Sequence, residues 1–62
     1  MKTEWLTLQQ IEDETGIPVK TLYNLRSLGR GPRGYRLAGR VRVKRADLDR
    51  WIENHADRQG AA

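Results

Sequence analysis

Cysteine is absent from the 62 residues, and with it go disulfides, thiolate metal sites and thiol nucleophiles. That absence suits a reducing cytoplasm. No stretch approaches the roughly 18–20 apolar residues of a membrane span, and the opening MKTEWLTLQQ holds no signal-like apolar run. A soluble, cytoplasmic protein without a membrane partner is expected. Length excludes more. A chain of 62 residues makes one domain with a small core and little room for a catalytic cleft. The single histidine, His55, has no cysteine to join it in a metal site. Asp47 and Asp49 stand two apart on an expected helix and do not face each other, and Thr7 and Thr21 have no base beside them. Neither enzyme activity nor a cofactor is expected.

The most informative absence is of negative charge. From Thr15 to Ala46 there are nine Lys/Arg and no Asp/Glu, whereas the flanks hold three Lys/Arg and all eight acids. The middle thus carries +9 and the flanks −5. Such segregation makes one face electropositive, which attracts a polyanion and speeds its encounter. An uneven but merely solvated surface is the plainer reading, and chance would have put an acid or two into the window.

Within it lies RSLGRGPRGYRLAGRVRVKR, where Gly29, Gly31 and Gly34 spell G-x-G-x-x-G. A dinucleotide loop needs a strand before it and a helix after it. Here a helix precedes and a hairpin follows, and Pro32 removes an N–H such a loop would use. Nucleotide binding is not expected.

Thr7 and Gln10 have capping-box spacing, with Leu6 and Ile11 as the flanking hydrophobic staple, so a first helix should run to about Thr15 and stop at Gly16. Ile17-Pro18 predicts a second start near Pro18, and Gly29 an end near Leu28. The short turn around Gly16 makes the pair a helix-turn-helix. On the second helix Leu22 and Leu25 point inward, while Lys20, Tyr23, Asn24 and Ser27 share the opposite arc and Thr21 lies at its margin.

From Tyr35 to Lys44 the sequence alternates, predicting strand-turn-strand. Tyr35, Leu37, Val41 and Val43 are its large apolar positions, Leu37, Val41 and Val43 being core candidates, and Arg36, Arg42 and Lys44 would share one face. Keeping Leu37 and Val41 on one side requires an odd connection, hence a three-residue tip, Ala38-Gly39-Arg40. A two-residue Ala38-Gly39 turn would pair Leu37 with Arg40 and turn one strand's apolar face outward. A third helix is expected from about Ala46 to His55, with Leu48, Trp51 and Ile52 on its apolar face. The fold class is therefore α+β: three helices, and a two-stranded antiparallel hairpin between the second and third. Residues 1–56 form the domain and 57–62 a flexible tail. The remaining core candidates are Trp5, Leu6, Leu8 and Ile17.

A cationic hairpin beside a polar helical arc suits duplex DNA. Arg30, Arg33, Arg36, Arg40, Arg42 and Lys44 can hold phosphates or enter a minor groove. Lys20, Thr21, Asn24 and Ser27 can meet base edges, Asn being suited to a bidentate adenine contact, and Tyr23 can set its hydroxyl on a phosphate. The plainer readings are an edge strand blunted by arginine and a solvated helix face. An RNA ligand is not favoured, since no stacking platform is visible and both tryptophans are assigned to the core.

These residues also carry a resemblance. WLTLQQIEDETGIPVKTLYNLRSLGRGP followed by RLAGRVRVKRADLDRWI resembles the small winged helix-turn-helix DNA-binding domains of the MerR/excisionase type over roughly Trp5–Ile52. The motifs are the W-L-T opening, a G-[IV]-x-x-x-T-[IL]-Y segment containing Thr21, Leu22 and Tyr23, a G-R-x-P loop, and R-x-D-L-x-x-W. Departures are Pro18 for a capping Ser/Thr, Leu25 for a common Trp, Arg26 for an apolar residue, and Leu28 for a charged one. The resemblance implies a recognition helix in the major groove and the hairpin, or wing, at the adjacent minor groove. Effector-sensing members continue into a long dimerising helix. With the chain ending at Ala62, an effector switch is not expected. Standalone members resemble phage excisionases (recombination directionality factors), especially those of actinobacteriophages. These imply several copies bound side by side at a phage attachment site, DNA bending, and a phage integrase biased toward excision. The alternatives are a small prophage transcriptional regulator and, from a different class, a basic module docking an acidic protein.

Overall fold

The computed structural model describes residues 2–56; the expected tail, 57–62, lies outside the described residues. The elements in chain order are β1 (Trp5–Leu6), α1 (Leu8–Thr15), α2 (Val19–Ser27), β2 (Gly34–Leu37), β3 (Arg40–Lys44) and α3 (Arg45–Asn54). The class is α+β, with three helices on one antiparallel sheet. The hairpin expected as two strands gains a third. Trp5 pairs with Lys44 and Leu6 with Val43, giving the order β1-β3-β2. A two-residue strand has too little periodicity to read from sequence.

The capping box of α1 forms as expected. The Thr7 hydroxyl accepts from the Gln10 N–H at 3.0 Å, and the Gln10 side chain accepts from the Thr7 N–H at 2.8 Å. Gly16 closes the helix at φ 79°, in the left-handed region open to glycine. Pro18 offers α2 no side-chain cap. The Glu12 carboxylate from α1 supplies one instead, accepting the Val19 N–H at 2.9 Å. One carboxylate thus satisfies a free donor at the helix start, where the dipole favours negative charge, and ties the two helices of the motif together.

Leu6, Leu8, Ile11, Leu22, Val41, Val43 and Leu48 form the buried core, with Ile17, Val19 and Trp51 packed at its rim. Each fully buried aliphatic side chain contributes about 1.5–3 kcal/mol by leaving water. Four expected core residues stand outside it: Trp5 is 38% exposed, Leu37 43% and Ile52 43%, and Leu25 is half-buried away from the cluster. On α3 the buried face narrows to Leu48 and the half-buried Trp51.

The expected three-residue tip is replaced by a two-residue turn. Ala38 (φ 50°) and Gly39 (φ 78°) both take left-handed angles, as a type I′ turn requires, and Leu37 pairs with Arg40. Such a turn matches the twist of the strands, which a three-residue loop with its glycine in the middle would not. The register also pairs Arg36 with Val41 and Tyr35 with Arg42, so Tyr35 and Leu37 lie on the face away from the helices. Val41 and Val43 alone supply the hairpin's buried side chains. Opposite Val43 stands Gly34, where a Cβ would come within 3.2 Å of Arg26 Nε. The Arg26 side chain, its Nε nearest and its Cδ behind, fills that place instead of a β2 side chain and joins α2 to the hairpin.

Candidate nucleic-acid interface

The helix-turn-helix leaves one long arc of α2 uncovered. Lys20, Thr21, Tyr23, Asn24 and Ser27 are all exposed, whereas Leu22 is buried and Val19 and Leu25 are half-buried. The residues expected to meet base edges are therefore gathered on one outward strip. Leu28 follows them at 68% exposure, free of the hairpin it could have packed on.

Beside this strip runs an open groove of about 340 Å³. Its helical wall includes Gln9, Val19 and Tyr23; its hairpin wall includes Arg36, Arg40 and Arg42. Three arginines, a tyrosine and a glutamine lining one open groove are residue types that hydrogen-bond or pair with a linear anion such as a phosphodiester backbone. Arg42 also donates to the Val41 carbonyl at 3.0 Å, which folds its side chain toward the groove.

The cations divide differently from expectation. Arg36, Arg42 and Lys44 do not share one face: Arg36 lies opposite Val41 on the core side, while Arg42 and Lys44 start from the outer side. Arg40 is the first residue of β3 and not part of the tip. Long arginine side chains bring Arg36, Arg40 and Arg42 together at the groove nonetheless. Lys44 is held elsewhere, its Nζ 5.0 Å from the Tyr35 ring centre and 5.6 Å from that of Trp5. Arg33 lies 5.6 Å over Tyr35. The reason is the even turn, which moved Tyr35 outward and gave both cations a ring to cover.

Arg30 sits in the loop after α2. Trp51 Nε1 donates to its carbonyl at 2.8 Å, pinning that loop against α3 and leaving the Arg30 side chain exposed. Arg45, the last cation of the basic stretch, is taken out of play. It forms a fork with Glu14 through two 2.7 Å bonds and reaches Glu4 at 3.3 Å. The Glu14 carboxyl is held below its ordinary range, chiefly by the hydrogen bond from Arg45. Glu14 and Glu4 push the guanidinium's own pKa upward. Sequence position alone could not have told this arginine from its neighbours.

A family model described as a helix-turn-helix domain matches residues 5–56. The chain belongs to this helix-turn-helix family. It is a DNA-binding helix-turn-helix protein, in a family that includes excisionase-like proteins. No curated protein and no solved structure matches the chain. Among the described residues no acid, histidine or cysteine cluster could hold a metal ion, and no helix is long and apolar enough to cross a membrane.

Proposed function

We propose that the protein is a non-enzymatic, DNA-bending excisionase. Several copies would bind side by side at a phage attachment site in the bacterial cytoplasm and direct the phage integrase toward excision. The observation that carries the DNA-binding geometry is the groove: its arginine wall stands directly beside the exposed strip of α2. A duplex laid there puts its major groove on Lys20, Thr21 and Asn24 and its phosphates on Arg36, Arg40 and Arg42, with Tyr23 between. Arg30, Arg33, Lys44 and Ser27 are flanking contacts in this reading. The excisionase role is supported by the excisionase-type motifs, which run through the matched helix-turn-helix domain.

Site selection from random duplex, followed by gel-shift titration on a fragment carrying several copies of the selected site, tests both parts. A stepwise ladder of complexes, with bending in a phasing assay, is expected of the excisionase. One shifted band without a bend would make it an operator-binding regulator of prophage genes. No shift would overturn DNA binding altogether. If about six phosphates are neutralised, log K against log salt falls with a slope of about −5. Arg40→Ala and Arg42→Ala should each flatten that slope by about one and weaken binding to all sequences. Asn24→Ala should relax sequence preference instead. An unchanged slope in both arginine variants would remove the groove from the interface.

A further inference from the structure

The sheet has a second face whose aromatic and aliphatic side chains lie outside the groove between α2 and the hairpin. Register places Trp5, Tyr35 and Leu37 on the side away from the helices, with Lys44 beside Trp5 on the central strand. Trp5 and Tyr35 meet edge to face, their ring centres 5.3 Å apart and their planes at 86°. Lys44 Nζ lies over both rings and the Arg33 guanidinium over Tyr35. Neither cation belongs to any of the ion pairs among the described residues, which involve Arg45 and Arg50. Here, then, are two aromatic rings and an aliphatic side chain, partly exposed, under cations that rest over the rings and have no counter-charge among the described residues. Trp, Tyr and Arg are the residue types that most often anchor protein interfaces.

We propose that this face docks an acidic segment of a second protein, one that sets carboxylates alongside apolar side chains. The cations select the charge. An ammonium resting on a ring keeps its outer hemisphere free for a carboxylate, and its rotamer entropy is already partly spent. Leu37 and the edge of Trp5 select the apolar part, which leaves water on contact. Single-stranded nucleic acid fits less well. Its bases need open, coplanar ring faces to stack on, whereas these rings are perpendicular and capped by cations. The main duplex contacts are α2 and the groove, into which Arg40 and Arg42 reach from the strand positions opposite Leu37 and Tyr35, so the partner shares with DNA only the flanking cations Arg33 and Lys44. The proposal goes beyond the excisionase reading and does not require it.

A ¹⁵N-labelled sample of the whole chain, titrated with a 12-residue peptide alternating Glu with Leu and Trp, tests it directly. The expected result is saturable movement of the Trp5 indole, Tyr35, Leu37 and Lys44 signals, with Lys20 and Asn24 unmoved. The same peptide with Gln for Glu should bind at least tenfold more weakly. Trp5→Thr should weaken the peptide about three- to tenfold, in line with loss of the ring and its cation contact, while leaving duplex affinity unchanged. Lys44→Gln should weaken the peptide similarly and serves if the tryptophan variant fails to fold. Three results would overturn the proposal: signals moving only around Arg36, Arg40 and Arg42; equal binding of the Gln peptide; or tighter binding of oligo-dT than of the acidic peptide at the same signals. Because duplex affinity is measured separately on the same samples, loss of peptide binding and loss of DNA binding are distinguishable.

Discussion

Ala38 is the one described non-glycine residue with a positive φ, 50°, and it occupies the first corner of the hairpin turn. In that conformation its methyl group crowds the following carbonyl, at a cost of about 1–2 kcal/mol. Asn-Gly and Gly-Gly are the preferred pairs for this turn because asparagine and glycine tolerate the left-handed region. Ala38→Asn is therefore expected to stabilise the protein by about 1 kcal/mol, read as a higher urea midpoint at unchanged slope. Gly39→Ala, at φ 78° with open space around it, should destabilise by about the same amount through backbone strain alone. If both variants left the midpoint where it was, the hairpin would not close through this two-residue turn. The turn matters beyond stability, because its even length decides which side of the sheet each arginine leaves from.

The elements are joined by charge at one corner. Arg45, at the start of α3, holds Glu14 near the end of α1 and Glu4 just before β1. Glu14 is more acidic in the folded protein than its ordinary value of 4.5, chiefly through the Arg45 hydrogen bond. The native state therefore binds fewer protons there than the unfolded chain does. The contribution of this pair is full above about pH 4.5 and is lost as the pH falls through the lower, folded value. Thermal melts should show Glu14→Gln less stable than the parent at neutral pH and equal to it in acid, with a shallower decline between. Parallel melting curves at every pH would show the fork to be idle. How much of this architecture could be read beforehand follows from range. The capping box, Gly16, the exposed arc of α2 and the alternating hairpin depend on neighbours a few residues apart, and each was legible. The hairpin's register, the strand at Trp5, the Glu12 cap and the Arg45 fork depend on tertiary distances or on the energy of one turn. Arg26 crossing over Gly34 is the same kind of fact: a long side chain replaces a missing one, and nothing in either residue alone announces it. The exposure of the α2 arc was therefore legible, but the division of the hairpin's cations between two faces was not.

For the whole molecule the division of charge has a kinetic consequence. The middle of the chain carries +9 and the flanks −5, and the flanking acids include Asp49 and Glu53 on α3, both exposed and neither lining the groove. Their field at the DNA-facing side opposes the arginines through distance, not contact. Such a field governs how fast a charged partner is drawn in and falls off with the Debye length, about 8 Å at physiological salt. The double variant Asp49→Asn/Glu53→Gln is accordingly expected to raise the association rate with duplex DNA about twofold at low salt. The gain should fade as salt rises past roughly 0.15 M, where distant charges are screened. Dissociation should barely change, since neither carboxylate lines the groove, and so should sequence preference, which the proposed reading gives to Lys20, Thr21 and Asn24. Stopped-flow fluorescence with labelled duplex across a salt series separates the two rates. An effect that persisted at high salt, or that appeared in the dissociation rate, would place α3 in direct contact with the nucleic acid and would turn the molecule on its DNA.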